Sequence, residues 1–572
     1  MPGLPAFSWC LLSSLLLWLS FFPVNAGWLG WVALVPLIFV LESYVRNSSD
    51  QPPSSSLTAA MERPRWFHRP LLCAWLGGLA FCLMAFRWII LASTPMIAVY
   101  LALALIISLQ WYLFFLFTRL LVQSIHLPLL LAAPCVWTAL EYIRSQIYIG
   151  YSWYSLGHTQ HEELTLLQIA DLMGVYGISF LVMMVNVALA RILWHRRLGN
   201  ITRELVPCGI LVGLACWYGQ EQLAADAEIL HRPQTPRIAV LQGNQPQDLR
   251  NDPHQWRKID EVYFRLGEEA SRYQPELIIA PETCISVSWV RLKEGKLPTW
   301  LGELQEPKLP FDRMAANAQA WTSFHTRRWQ ADLFFGFNCW DLTGTSLRHT
   351  NSALLISREG EELAHYDKII CLPFGEYIPC AETLPFMKWL SPYPFEYTVR
   401  CGESIHSIPW RNYRIGTLIC YEDSAHDLCR AFLLRTNPSF WINISNDGWF
   451  KGSEEHEQHL VSARFRCVET RRSMVRAVNM GISCIMDAMG RIIAFPARSP
   501  LPENHPGAVS ALDLKGSDWH TAKNHEGILI GSVPIYEGLS PYTQFGDLLP
   551  WLCWAVMILA WFMSVYRNCK KA

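Results

Sequence analysis

The chain has 572 residues, of which 51% are hydrophobic and 17% are charged. Its 47 basic and 48 acidic residues give a formal net charge of −1, which excludes a nucleic-acid binder that relies on clustered positive charge and a highly charged disordered chain. The apolar residues are concentrated in residues 1–220 and near the C-terminal end, whereas the middle of the chain resembles a soluble protein. The sequence therefore predicts a membrane portion and a globular portion.

Eight apolar stretches come close to the length of about 20 residues that a helix needs to cross a bilayer. They lie near residues 4–22, 27–45, 71–91, 96–120, 127–144, 171–194, 204–220 and 547–566. If all eight cross, the basic residues of the loops and of the C-terminal tail share one side, and basic loops face the cytoplasm. These residues are Arg46, Arg63, Arg65, Arg69, Arg119, Arg191, Arg196, Arg197, Arg203, Arg567, Lys570 and Lys571. We therefore predict that both termini are cytoplasmic and that the segment between the seventh and eighth stretches faces outward.

From about residue 236, short apolar runs alternate with amphipathic stretches. The runs are rich in β-branched and aromatic residues, which predicts strands over 237–244, 276–283, 332–340, 350–357, 413–423, 440–447 and 474–480. Helices are predicted over 253–273, 309–329, 424–436 and 455–472. This alternation predicts an α/β layered domain. Pro and Gly punctuate residues 289–310 and 378–410, which predicts two long loops.

Candidate catalytic side chains lie where predicted strands end. Glu282 follows the second strand, Lys368 and Glu376 lie eight residues apart in YDKIICLPFGEYIP (366–379), and Cys420 ends a strand and precedes Tyr421. Active sites of α/β sheets lie at strand ends. Each residue alone is typical of an ordinary loop or core position, whereas the ordered set is more specific.

Glu282, Lys368 and Cys420, in the contexts PE, DK–x₆–FGE and CYE, resemble the Glu–Lys–Cys set of the nitrilase (carbon–nitrogen hydrolase) superfamily. That resemblance implies an α-β-β-α sandwich. The stretches LGWVALVPLI (29–38) and SWYSLGHTQ (152–160) are similar to the membrane portion of bacterial apolipoprotein N-acyltransferases, as is SNDGWF (445–450) to their catalytic portion. The fold implied is a multi-pass α-helical membrane domain with about eight transmembrane helices and a nitrilase-like domain. Ala-Pro before Glu282 departs from the frequent Trp-Pro.

The family resemblance implies a reaction that moves an acyl chain from a phospholipid to the N-terminal amine of an apolipoprotein's S-diacylglyceryl-cysteine. Cys420 would carry the acyl chain as a thioester, Glu282 would act as general base and acid, and Lys368 would stabilise the oxyanion. A helix predicted to begin near Ser424 is expected to favour the Cys420 thiolate. The resemblance also assigns supporting places around the cysteine to Glu376, Tyr421, Glu422 and Trp449.

The predicted domains are a membrane domain over 1–221, a periplasmic catalytic domain over 222–546, and a last helix with a short tail over 547–572. We expect a monomer in the bacterial inner membrane, with no cofactor, metal or nucleic acid; Glu454, His456 and His459 share a helix without a metal-binding pattern. The loops 289–301 and 384–395 are predicted to contact the membrane surface. Nine cysteines lie in the outer domain, and their pairing stays open.

Two other functions remain open from the residues alone. One is a membrane-tethered amidase that uses water as acceptor, because the Glu–Lys–Cys set does not distinguish the acceptors. The other is a non-catalytic transporter or receptor with a nitrilase-like outer domain. Seven apolar stretches before the catalytic domain favour a lipid substrate, since tethering needs only one.

Overall fold

The computed structural model describes residues 5–46, 69–147, 150–195, 198–226, 233–250, 253–284, 289–294, 311–343, 346–391, 398–502, 505–510 and 516–571. The chain divides into two compact units. The first contains Met1–Ile90, Ile97–Asp226 and Gln544–Ala572, and the second contains Leu91–Met96 and Ala227–Thr543. The first unit is helical, and the second is built from two β-sheets covered by helices.

A helix lies at each of the eight predicted apolar stretches. They are Ala6–Leu19 (α1), Val35–Arg46 (α2), Pro70–Ala85 (α3), Met96–Ser124 (α4), Leu129–Gln146 (α5), Ala170–His195 (α6), Leu198–Ala225 (α7) and the C-terminal helix Leu548–Lys571.

Four stretches in the described part of the chain are long and apolar enough to cross a membrane, namely Gly27–Arg46, Met96–Ser124, Ala170–Trp194 and Leu548–Lys570. Helices α1 and α3 are apolar but have only 14 and 16 residues. These lengths fall short of the roughly 20 residues that a perpendicular crossing takes. The membrane character of the unit is therefore clear, whereas eight crossings stay a prediction.

The charged side chains inside α5 are each held by their own partners. Glu141 Oε1 accepts hydrogen bonds from Trp137 Nε1 at 2.8 Å and from Leu156 N at 2.7 Å. Arg144 donates to Gln110 Oε1 at 3.1 Å and to two backbone carbonyls. Such bonds offset the cost of burying charge in an apolar unit.

The second unit contains fourteen strands in the part of the chain that the structure describes. They are Ile238–Gln242 (β1), Leu277–Ile279 (β2), Trp289–Glu294 (β3), Asp332–Thr343 (β4), Ser346–Ile356 (β5), Glu362–Asp367 (β6), Ile408–Trp410 (β7), Tyr413–Ile419 (β8), Phe440–Ser445 (β9), Met474–Val478 (β10), Cys484–Met486 (β11), Ile492–Arg498 (β12), Ala508–Ser510 (β13) and Gly527–Gly531 (β14).

These strands form two sheets that share β12. One sheet has the order β6-β5-β4-β2-β1-β14, and the other has the order β12-β11-β10-β9-β8-β7; β12 also pairs with β14, β3 with β4, and β13 with β12. Gly336 in β4 shows how closely the sheets face each other. A Cβ at this residue would lie 2.9 Å from Ile444 Cδ1 in β9 and 2.6 Å from Glu282 Cα. The glycine therefore permits the close approach of the sheets beside Glu282.

Helices cover the outer faces of both sheets. Trp256–Ser271 (α8) and Phe311–Trp329 (α9) bury Leu266 and Trp329 against Ile278 and Phe335 of the first sheet. His426–Thr436 (α10) and Glu455–Thr470 (α11) cover the second sheet, where Phe432 packs edge-on against Trp441 with ring centroids 5.6 Å apart. The layers are helix, sheet, sheet and helix, as the resemblance implied.

All seven predicted strands and all four predicted helices of this unit are present, with ends that differ by a few residues. The prediction of one long loop over 289–310 is wrong at its beginning, because residues 289–294 form β3 beside β4; residues 295–310 lie outside the described residues. Within 378–410, Pro385–Leu390 forms a 3₁₀ helix and Ile408–Trp410 forms β7. The strand β3 depends on pairing with the distant β4, whereas β7 is a strand of only three residues in a tight hairpin with β8.

Candidate active site

Three strand ends bring the predicted catalytic residues together. Glu282 follows β2, Lys368 follows β6, and Cys420 follows β8. Lys368 Nζ lies 3.6 Å from Glu282 Oε1, and the side chains are only 2% and 9% exposed. Cys420 interacts electrostatically with both of these charges. The structure thus brings a buried carboxylate and a buried ammonium to the partly exposed Cys420 thiol.

Lys368 is also held by Glu376, the supporting residue eight positions later. Its Nζ lies 3.0 Å from both oxygens of the Glu376 carboxylate, and Oε2 also accepts a hydrogen bond from Leu372 N at 2.7 Å. The amide of Asn351 donates to Glu282 at 2.6 Å and to Glu376 at 2.8 Å. Asn351 therefore joins the two carboxylates whose charges Lys368 partly offsets.

Cys420 lies at a sharp turn between β8 and the 3₁₀ helix Cys420–Ser424. Its φ of +53° is in the left-handed region, which a residue with a side chain adopts only when its surroundings hold it there. Asn443 Nδ2 in β9 donates to the Cys420 carbonyl at 3.1 Å. The backbone of Cys420 is thereby held in a left-handed conformation immediately after the last residue of β8.

Glu422 braces this turn from beneath. Its carboxylate accepts hydrogen bonds from Ile419 N at 2.8 Å, from Ile369 N at 2.6 Å and from Ile370 N at 3.0 Å. Burial raises the pKa of Glu422 to about 7, while these backbone donors oppose the rise. Glu422 therefore connects the Cys420 turn to the segment that carries Lys368.

The charges of the site favour a protonated Cys420 and a charged Lys368. Burial and the neighbouring Glu282 raise the pKa of the Cys420 thiol well above its usual value, and Lys368 only partly offsets them. Burial lowers the pKa of Lys368, but Glu376 and the other negative groups outweigh it, so that the pKa lies well above the ordinary value. The helix α10 begins at His426, close to the predicted start, but burial and the charge of Glu282 outweigh any effect of its end and disfavour the resting thiolate.

Tyr421 and Trp449, the other two predicted supporting residues, lie in the 3₁₀ helices that follow β8 and β9. Tyr421 is 9% exposed and follows Cys420 directly, and Trp449 is half-buried in the 3₁₀ helix Asp447–Phe450. Sequence reasoning missed Asn351 and Asn443. The available signal was a polar amide within each of two predicted strands, since a buried amide needs polar partners.

A disulfide joins the loop between Lys368 and Glu376 to the segment around residue 401. Cys371 and Cys401 are bonded, with Cα atoms 5.7 Å apart, within the range of ordinary disulfides. Next to Cys401, Gly402 N donates to the Lys368 carbonyl at 2.6 Å. The sequence had left the cysteine pairing open; Cys420 itself is a free thiol.

Comparisons with known proteins agree with this architecture. Residues 13–188 match the apolipoprotein N-acyltransferase N-terminal domain, and residues 237–501 match the carbon-nitrogen hydrolase family. An apolipoprotein N-acyltransferase of Geobacter metallireducens is 32% identical over 432 residues, which cover 75% of this chain and 72% of that protein. The chain belongs to the apolipoprotein N-acyltransferase family. The relative from Chlorobaculum tepidum is 25% identical over 582 residues, with 95% of this chain and 93% of that protein covered.

A solved carbon-nitrogen hydrolase from Helicobacter pylori G27 aligns with 52% of this chain and 89% of its own, at 14% identity and a TM-score of 0.34, too weak a likeness to add to the family match. Membership in the N-acyltransferase family makes this chain an acyltransferase enzyme of a bacterial membrane. Neither the water-using amidase nor the non-catalytic transporter gains support from these relatives.

Proposed function

We propose that this enzyme transfers an acyl chain from a phospholipid to the N-terminal amine of the S-diacylglyceryl-cysteine of an apolipoprotein, through a thioester on Cys420. The observation that carries the proposal is the meeting of Glu282, Lys368 and Glu376 at the end of the strand that delivers Cys420. Family membership supplies the acceptor class, and the apolar helices bring the enzyme to its lipid donor.

In the first half-reaction, Glu282 takes the proton of the Cys420 thiol as the sulfur attacks the ester carbonyl. The raised pKa of the thiol makes a nearby base necessary, because little thiolate is present at rest. The C–O bond then breaks, the thioester forms, and the proton passes from Glu282 to the departing lysophospholipid alkoxide. Lys368 offsets the negative charge on the tetrahedral oxygen, a contribution typically worth about 10²–10³ in rate.

In the second half-reaction, the amine of the apolipoprotein attacks the thioester carbonyl. Glu282 accepts the proton of the amine, the C–N bond forms, and the C–S bond breaks to release Cys420, which regains the proton. One carboxyl group can act in both halves because it returns to its ionised state after each. Glu376 and Glu422 are proposed to position Lys368 and the cysteine turn, and Tyr421 and Trp449 to line the site. No cofactor or metal takes part in these steps.

We further propose that the catalytic domain, residues 222–546, faces the periplasm and that both termini are cytoplasmic. Basic loops on one side of the eight apolar stretches support this orientation. The Cys371–Cys401 disulfide supports it as well, because disulfides persist in the periplasm and are rare in the cytosol. The membrane domain, 1–221, and the last helix with its tail, 547–572, complete the proposed monomer.

The acceptor decides between this proposal and an amidase. Purified enzyme is mixed with phosphatidylethanolamine and a diacylated lipopeptide that has either a free or an acetylated N-terminus. We expect a triacylated product only from the free amine, and no product with Cys420→Ala. The control variant Cys467→Ala, at a buried thiol of α11, should retain activity. Release of free fatty acid at the same rate with either lipopeptide would refute acyl transfer to the amine.

A further inference from the structure

A buried group of four charged residues, which we name the ionic clamp, lies beside the Cys420 turn and has no part in the steps above. It consists of Asp423, Asp447, His459 and Arg476, each at most 2% exposed. Asp423 belongs to the same 3₁₀ helix as Cys420, and Asp447 begins the turn after β9. His459 comes from α11 and Arg476 from β10. The turns that follow β8 and β9 therefore each contribute a carboxylate, and α11 and β10 each contribute a basic side chain.

Each cation of the clamp contacts both carboxylates. His459 Nε2 lies 2.9 Å from Asp423 Oδ1, and His459 Nδ1 lies 3.2 Å from Asp447 Oδ1. Arg476 Nη1 is bonded to Asp423 Oδ2, and Arg476 Nη2 lies 3.8 Å from Asp447 Oδ2. The turn that carries Cys420 is thus joined twice to the turn that carries Trp449.

The protonation of the clamp is consistent with this double bridge. Burial lowers the pKa of His459, but Asp423 and Asp447 outweigh it and raise the pKa to about 10. A doubly protonated imidazole can donate one N–H to each carboxylate. Glu455 lies 3.8 Å from His459 Nδ1, and burial together with the charge of Asp447 raises its pKa well above the usual value, which favours its neutral form. Two positive charges then balance two negative ones, which makes their burial tolerable.

The need for such a clamp follows from the backbone at Cys420. Its left-handed φ is unfavourable for cysteine and persists only where contacts over-determine the turn. Glu422 and Asn443 hold the turn from the Lys368 side and from β9. Asp423, three residues after Cys420, fixes the opposite end of the same turn. We propose that His459, with Arg476, is a positioning residue that holds the Cys420 sulfur in the geometry for attack on the acyl ester.

A metal ion is the rival occupant of this cluster, since ligand atoms of Asp447, Glu455 and His459 lie within 4.8 Å of one another. The contacts disfavour it. Both nitrogens of His459 already face carboxylates, and the Arg476 guanidinium occupies the charge-balancing position beside Asp447. The contacts therefore favour a cluster of mutually paired side chains over a bound ion.

The clamp rests on the proposed role of Cys420, so its test measures the thiol in two ways. His459→Gln keeps a hydrogen-bond donor, the amide NH₂ group, but removes the positive charge. In the full-length enzyme below its melting temperature, we expect at least tenfold slower single-turnover thioester formation from phosphatidylethanolamine, with the half-saturating lipid concentration unchanged. We also expect an altered rate of Cys420 alkylation by iodoacetamide. Alkylation does not require acyl transfer. If the unmodified enzyme forms no thioester, the proposed reaction fails, whereas the clamp is still tested by the alkylation rates of the variants.

Two further variants keep the test decisive. His325→Gln makes the same replacement at a buried histidine of α9, which contacts Trp321 and not the Cys420 turn, and it should leave both rates unchanged. If His459→Gln does not fold, Arg476→Lys keeps the charge but loses the two-pronged contact, and it should fold and react several-fold more slowly.

Wild-type rates in folded His459→Gln, or in folded Arg476→Lys, would overturn the clamp. A stoichiometric divalent metal in the purified enzyme, whose removal by chelator reproduces the slow rates, would overturn it as well.

Discussion

Lys368 is expected to contribute both to catalysis and to stability, and replacing it by methionine removes both contributions. The ammonium lies 3.6 Å from Glu282 Oε1 and 3.0 Å from the Glu376 carboxylate. At an effective dielectric constant of about 20, these contacts correspond to roughly 4–6 kcal/mol each before the cost of desolvation. Methionine fills a similar volume but leaves two buried carboxylates facing each other across Asn351. Losing one partner of a buried ion pair typically destabilises a protein by about 3–5 kcal/mol.

The double variant Lys368→Met/Glu376→Gln removes one of the two orphaned charges. We expect it to regain most of the melting temperature lost in Lys368→Met. The neutral amide at position 376 no longer repels the charge of Glu282 and needs no cation beside it. Its acylation rate should stay low by about 10²–10³, because nothing then offsets the oxyanion. Melting by intrinsic fluorescence and single-turnover thioester formation measure the two effects. The reasoning would be refuted if the stabilised double variant also regained its acylation rate, since Lys368 would then act through folding alone.

Three other predictions follow from individual contacts. The folded pKa of His459 is raised to about 10, so its contribution to stability is complete below the unfolded pKa of about 6.5 and is lost as the pH rises toward 10. The melting temperature should therefore fall over that pH range more steeply in the wild type than in His459→Gln. Parallel curves for the two proteins would contradict this. Cys401→Ser should lower stability by about 2–4 kcal/mol and slow acylation, whereas a wild-type acylation rate would show that the disulfide with Cys371 does not brace the Lys368 loop. In spheroplasts, a membrane-impermeant maleimide should label exposed Cys380 but not exposed Cys569, and the reverse pattern would contradict the proposed orientation.

The parts of the site that the sequence predicts are those written in local patterns. Glu282 and Cys420 each follow an apolar run that is recognisable as a strand, and Lys368 and Glu376 stand in one short motif. The structure adds the distances that bring Lys368 next to both carboxylates.

The parts that the sequence does not predict depend on contacts between distant segments. Asn351 reaches Glu282 across 69 positions, and His459 reaches Asp423 across 36. On a helix pattern alone, His459 is one polar residue among several, and nothing local indicates that it is buried and charged. Similarly, β3 becomes a strand only because the long β4 offers it a partner. The direction of the Cys420 pKa shift was missed because it comes from burial and from the charge of Glu282, which is a neighbour in space only.

The central claim is that Cys420 carries the acyl chain. The most direct test is to quench the enzyme with acid shortly after mixing with phosphatidylethanolamine in the absence of acceptor, and to locate the added mass by peptide mass spectrometry. We predict one acyl group, released by hydroxylamine as expected for a thioester, on the peptide that contains Cys420, and its disappearance when a lipopeptide amine is added. An acyl group on another residue, or full transferase activity in Cys420→Ala, would contradict the account.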